Sequence, residues 1–156
     1  MSTKLKNLYI LLLLISSASL LFAYCVEYVM QLTACPLCIY QRFPYLIFIM
    51  LSIISLSDSK NYNKYYIVTA IFASLLAGYH TGIERGIFEL SSFCTPLVSI
   101  NDNVLVNDFK KMLYNQQLGM CNKPALVIFN LSMTEWNLLL NLALLAIFIK
   151  LKTIRE

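Results

Sequence analysis

Two cysteines two residues apart open a long apolar segment in the run Cys35-Pro36-Leu37-Cys38-Ile39-Tyr40-Gln41-Arg42. That spacing allows a disulfide, and at the start of a helix the unpaired backbone N–H groups favour thiolate over thiol. Pro36 suits a first helical turn. In helical geometry Arg42 lies one turn beyond Cys38 and two beyond Cys35, which puts all three side chains on one face. A guanidinium that keeps its charge favours the thiolate there and can also hold a polar acceptor group of a second redox partner. Taken singly, a CxxC is shared with zinc knuckles, and an arginine near a helix end ordinarily snorkels to the interface. Together, where a membrane meets water, they point to electron transfer.

The elements that must carry this motif are membrane helices. Hydrophobic residues make up 59% of the 156 positions and charged residues 13%, and the apolar residues fall in blocks near the ~20 residues that cross a bilayer. The sequence predicts an all-α polytopic bundle of four transmembrane helices forming a single domain over 1–156. The spans are expected at 8–26, 36–56, 65–83 and 132–151, with a long loop over 84–131 between helices 3 and 4. Glu135 interrupts the fourth apolar stretch. Lys4 and Lys6 before the first block resemble a secretion signal, but the apolar run is long and lacks a following A-x-A site, so it is read as a retained helix. Bulky Tyr24 ahead of Cys25 argues against a lipidated cysteine, and Cys25 is expected to be a small apolar residue of that helix.

Charge sets the orientation. Lys4, Lys6, Lys60, Lys64, Lys150, Lys152 and Arg155 fall in the N-terminus, the link between helices 2 and 3, and the C-terminus. By the positive-inside rule these segments face the cytoplasm. Cys35, Cys38, Cys94 and Cys121 then face outward, into the periplasm of a bacterium-like cell, where disulfides persist. The net charge of +4 is accounted for by topology and gives no reason to propose nucleic acid as a partner.

Cys94 and Cys121 form a second, widely spaced pair in the outer segment. Between them Leu105, Phe109, Met112 and Leu113 fall on one helical face, which fits a short amphipathic helix on the bilayer surface or in a soluble loop. Four outward cysteines allow three pairings, and the residues alone do not choose among them. The wide gap breaks the usual zinc-ribbon spacing, so no metal is expected. Near the outer end of helix 3, His80 has Glu84 one turn later. Its ring is placed to pair with Glu84. Glu27 and Glu84 are expected to be interface groups.

The chain resembles the DsbB family of inner-membrane thiol:quinone oxidoreductases over nearly all its length. The resemblance rests on the run Cys35 to Arg42, on Tyr79-His80-Thr81-Gly82-Ile83-Glu84-Arg85-Gly86, on Cys94 and Cys121, and on Leu131-Ser132-Met133-Thr134-Glu135-Trp136-Asn137. It implies two disulfides in series, Cys94 with Cys121 and Cys35 with Cys38. A periplasmic DsbA-like oxidase would be reoxidised through Cys94, with Cys121 as its partner. Electrons would pass through a transient link of Cys35 to Cys121, and Cys38 would hand them to a quinone, ubiquinone or menaquinone, held by Arg42, with the His80 ring either hydrogen-bonding that quinone at the depth of Arg42 or remaining paired with Glu84. DsbA, at roughly −120 mV, is too oxidising for ordinary thiol buffers to regenerate, which is why a quinone sink is needed. Two other classes compete: another thiol:quinone enzyme, either DsbI-like with a dedicated donor or vitamin K epoxide reductase-like, and a non-enzymatic metal-binding or scaffolding bundle.

Overall fold

A computed structural model of the chain describes residues 3–58, 62–89, 94 and 119–155. The expected amphipathic helix around Leu105 to Leu113, and most of the long loop that contains it, lie outside the described residues. Among those described, four helices are long and apolar enough to cross a membrane. They are α1 (Thr3–Tyr28), α2 (Pro36–Ser57), α3 (Asn63–Glu84) and α4 (Met133–Arg155). A two-stranded antiparallel hairpin, β1 (Val127–Ile128) with β2 (Leu131–Ser132), leads into α4. The helices outrun the apolar blocks by up to a turn or more at their charged ends, because Lys stems continue a helix beyond the hydrocarbon.

Short links make α1, α2 and α3 alternate in direction, and α4 runs back along α3 from the Arg85–Glu135 end. Helix α1 packs on α2, α2 on α3 and α3 on α4. One end of the bundle is closed by an aromatic core. Tyr66 stacks on Phe148 with ring centroids 4.9 Å apart, and Tyr9 and Phe48 complete the cluster. The Tyr66 hydroxyl is shared with Ser55 at 3.1 Å, which satisfies a polar tip that burial would otherwise leave unpaired. Outward faces carry Leu14, Leu21, Met50 and Leu75, all exposed, as expected of helices that turn apolar side chains to lipid.

The opposite end gathers the cysteines, and each helix terminus there is fixed by its own chemistry. Cys35 caps α2, with its sulfur accepting the Cys38 N–H at 3.2 Å and Pro36 following in the first turn. α3 ends in a Schellman turn: Ile87 N–H donates to the Gly82 carbonyl, Gly86 N–H donates to Ile83, and Gly86 takes a φ of 71°. Ser132 and Glu135 form a capping box at the start of α4, the Ser132 N–H donating to Glu135 Oε2 at 2.8 Å and the Glu135 N–H to Ser132 Oγ at 3.2 Å. This accounts for a carboxylate at the head of an apolar helix. Arg85 pairs with the same carboxylate and ties the end of α3 to the start of α4.

Candidate active site

The cap of α2 places the two sulfurs of the CxxC motif 2.9 Å apart, sharing a hydrogen bond. Both are free thiols, whereas the family resemblance leads one to expect a disulfide between them. Cys35 is buried, and its sulfur also lies 3.4 Å from His80 Nε2 on α3. The Cys38 thiol, acting chiefly, and the His80 ring hold the Cys35 thiol down to about 5 from an ordinary 9.0, against the opposing effect of burial. Negative charge therefore collects on Cys35.

Cys94 and Cys121 are joined by a disulfide with Cα atoms 5.6 Å apart. It is packed against the CxxC cap, in one apolar cluster with Cys35, Leu37 and Ile83. The ligating atoms of Cys35, His80 and Cys121 all lie within 4.8 Å of one another, so the two cysteine pairs adjoin. Backbone contact sets this approach. Gly119 N–H donates to the Ala34 carbonyl at 3.3 Å, and a Cβ on Gly119 would strike the Thr33 carbonyl oxygen. The sequence suggests a pair on a reaching loop, yet Cys94 and Cys121 are 1% and 0% exposed.

Two cavities flank the sulfurs. The larger, about 350 Å³, is lined among others by Leu20, Phe22, Val26, Leu140 and Trp136, with Glu27, Cys38, Gln41, Arg42, Tyr45 and Asn137 among its polar groups. Apolar walls with a few convergent polar groups suit a flat hydrophobic ligand. Cys38 lines this cavity and Cys35 does not. Arg42 is held there by an ion pair to Glu27 at 2.5 Å and by the Tyr24 ring, 4.6 Å from its guanidinium carbon. Its buried Nε finds no hydrogen-bond partner among the described residues, which leaves a donor for an acceptor oxygen of a ligand. The smaller cavity, about 210 Å³, lies on the other side and is lined by Cys35, Cys38, His80, Glu84, Met120 and Lys123, among others.

His80 sits on the side of the smaller cavity. Its ring is 1% exposed and faces Cys35 and Gln41, so it lines the smaller cavity and does not line the one that Arg42 shares. Glu84 Oε1 lies 3.9 Å from Nε2, closer to the alternative expectation of pairing within α3. Glu84 is no surface group. Its side chain is 7% exposed, and its carboxylate accepts from Ser132 Oγ at 2.5 Å and Thr134 Oγ1 at 2.6 Å.

Sequence reasoning missed the polar chain inside the bundle. Asn137 Nδ2 donates to Gln41 Oε1 at 2.8 Å, Tyr45 donates to Asn137 Oδ1, and Asn141 sits one turn further along α4. The signal was Asn137 and Asn141 at helical spacing in an apolar span, where polar side chains are costly and serve a purpose. The Glu27 partner of Arg42 also went unread.

The model for the family "Disulfide bond formation protein DsbB" matches residues 5–151. The chain belongs to the DsbB family. Among its relatives, the uncharacterized protein RP370 of Rickettsia prowazekii (strain Madrid E) is 40% identical over 144 residues, which are 90% of this chain and 83% of the relative. Membership of the DsbB family, with four candidate spans, makes this a multi-pass membrane protein with oxidoreductase activity in disulfide formation.

Proposed function

We propose that this DsbB family member is a protein-dithiol:quinone oxidoreductase of a bacterial inner membrane, which reoxidises a periplasmic DsbA-like oxidase. The single observation that carries the reading is the place of Cys35, whose sulfur lies 2.9 Å from Cys38 on one side and within 4.8 Å of Cys121 on the other. A sulfur so placed can exchange with either, which is the geometry that two disulfides in series require. In the net reaction a protein dithiol loses two electrons and two protons and a quinone gains them.

Cys94 takes the donor's thiolate attack, which breaks the bond to Cys121 and frees that sulfur beside Cys35. The freed Cys121 sulfur attacks Cys35 of the oxidised Cys35–Cys38 pair, which forms the transient Cys35–Cys121 link and releases Cys38 as thiolate. Once the donor's second thiol has displaced Cys94, Cys94 re-forms its bond to Cys121 and releases Cys35 as a thiolate that its cap and His80 stabilise. Cys38 opens on the larger cavity and is the sulfur that meets the acceptor. Leu20, Phe22, Val26, Leu140 and Trp136 would wall a ubiquinone or menaquinone ring there, and Arg42 Nε would donate to one of its oxygens. When bound, the quinone supplies a lipid-soluble sink for two electrons. The ion pair with Glu27 holds the guanidinium in an apolar wall and offsets part of the cost of a charge at that depth. Lys6, Lys64, Lys150 and Lys152 gather at the aromatic end of the bundle, opposite the cysteines, which supports cytoplasmic termini and a periplasmic site.

The test is an anaerobic titration of the purified protein with a reduced DsbA-like donor while quinone absorbance is followed. Bleaching of one quinone per donor dithiol, abolished by Cys38→Ser, is expected. Quinone reduction that persists in Cys38→Ser, or none in the intact protein with quinone bound, would refute the reading.

A further inference from the structure

The orientation of the His80 ring can be deduced from a group that has no freedom, the backbone carbonyl of Asn137. A carbonyl oxygen only accepts, so the Asn141 amide atom 2.9 Å from it must be the Nδ2 donor. The same Nδ2 lies 3.0 Å from the Asn137 side chain, so the Asn137 atom facing it must be the oxygen. Tyr45 donates its hydroxyl to that same oxygen. The other end of the Asn137 amide is then Nδ2, and the Gln41 atom 2.8 Å away must be Oε1. That leaves Gln41 Nε2 facing His80 Nδ1 at 3.1 Å, so Nδ1 is bare and accepts. The single N–H of a neutral ring is therefore on Nε2, 3.4 Å from the Cys35 sulfur.

Each link depends on the one before it, so turning any amide sets like atoms against each other. Turning Asn141 would press its oxygen against two other oxygens; as placed, that oxygen is buried without a partner, a cost the chain bears to keep the order.

We propose that Gln41 is a positioning residue that fixes His80 as the Nε2–H tautomer and so aims the only ring hydrogen at the Cys35 sulfur. Neither residue touches the acceptor through this contact. Their effect reaches the reaction through the charge on Cys35, and the inference rests on the reading of Cys35 as the relay sulfur. Among the described residues, the titratable or charged groups that face this sulfur are Cys38 on α2, His80 and Glu84 on α3, and Lys123 across the smaller cavity beside the Cys121 disulfide. Of these, only His80 is coupled to the interior of the bundle by an unbroken hydrogen-bonded chain. The side chain at 41 decides what the ring can do. An amide nitrogen there forbids a hydrogen on Nδ1, whereas a carboxylate would demand one.

His80 is the single histidine of the chain, so ¹⁵N-histidine labelling of the full-length protein in lipid nanodiscs reports on this ring alone. Two-bond nitrogen–proton correlation should show a proton-bearing Nε2 and a bare Nδ1 in the wild type. In Gln41→Glu both nitrogens should bear hydrogens, between the carboxylates of positions 41 and 84. In the reduced protein, the pH midpoint for alkylation at Cys35 should then move down by about one unit, as a new opposite charge nearby requires. A wild-type ring protonated at Nδ1, a Gln41→Glu ring unchanged from wild type, or a changed ring with an unmoved Cys35 midpoint would each overturn the proposal. None of these readings needs donor or quinone turnover. A failed quinone titration with the expected ring signals would refute the proposed function and leave the ring assignment standing.

Discussion

The guanidinium of Arg42 on α2 meets the carboxylate of Glu27 on α1 at 2.5 Å, and the two are 13% and 25% exposed. The pair joins neighbouring helices at the mouth of the larger cavity, and each charge there is balanced chiefly by the other. Removing one leaves its partner uncompensated in apolar surroundings, so the effects of the two mutations should not add. In a double-mutant cycle of Arg42→Ala and Glu27→Gln, thermal unfolding in detergent should show a coupling of roughly 0.5–3 kcal/mol. Arg42→Ala should also weaken quinone binding by about tenfold or more, the loss of ~1.4 kcal/mol. Additive stabilities, or unchanged quinone affinity in Arg42→Ala, would contradict this account of the site.

Cys35 should react as a thiolate well below the usual thiol range. Its value in the folded protein, about 5, lies under the ordinary 9.0. Deprotonated Cys35 is thus favoured by folding, a contribution complete above pH 9 and lost as pH falls through about 5. In the reduced protein the alkylation rate at Cys35 should be level from about pH 6 upward and fall about tenfold per unit below 5. Stabilising the reduced thiolate also makes the pair more oxidising. A rate still climbing between pH 7 and 9 would show an ordinary thiol.

Gly119→Ala should separate the two cysteine pairs. The added Cβ meets the Thr33 carbonyl oxygen, which belongs to backbone and cannot swing aside. The strand of chain carrying Cys121 must move away from Cys35, and misplacement by ~1 Å can cost about a hundredfold in rate. Rapid-quench trapping of the link between Cys35 and Cys121 should show it forming at least tenfold more slowly, with quinone affinity retained. Unaltered trapping kinetics would mean that this backbone contact does not set the approach.

Ser132→Ala should cost stability at the head of α4. It removes one half of the capping box and one of the two hydroxyls on Glu84. Loss of an N-cap side chain costs about 1 kcal/mol, and leaving the buried Glu84 carboxylate short of a donor adds to it. Thermal unfolding should show a loss of roughly 1–3 kcal/mol. A change below ~0.5 kcal/mol would mean that water replaces the hydroxyl without penalty.

The spans were legible because hydropathy over some twenty residues reflects burial in lipid, and the match of Cys35 to Arg42 with a helix start is local chemistry that sequence records directly. Glu135 illustrates the same point, since a carboxylate three residues after Ser132 is a helix-start signal even inside an apolar stretch. What sequence could not give was which faces meet. Whether His80 turned to the Arg42 side or to Cys35 depends on the rotation of α3 against α2, and no local pattern encodes that angle. The Glu27 ion pair and the order Asn141, Asn137, Gln41 likewise join residues on different helices. The burial of Cys94 and Cys121 was missed because a polar loop composition says nothing of where its two ends are clamped.

With Cys35, Cys94 and Cys121 all under 5% exposed, the relay is insulated. Under the proposed function, reducing equivalents would then enter when a docked protein prises the Cys94 disulfide from its seat. Burial of that disulfide would thus make the flow of electrons depend on the protein that docks.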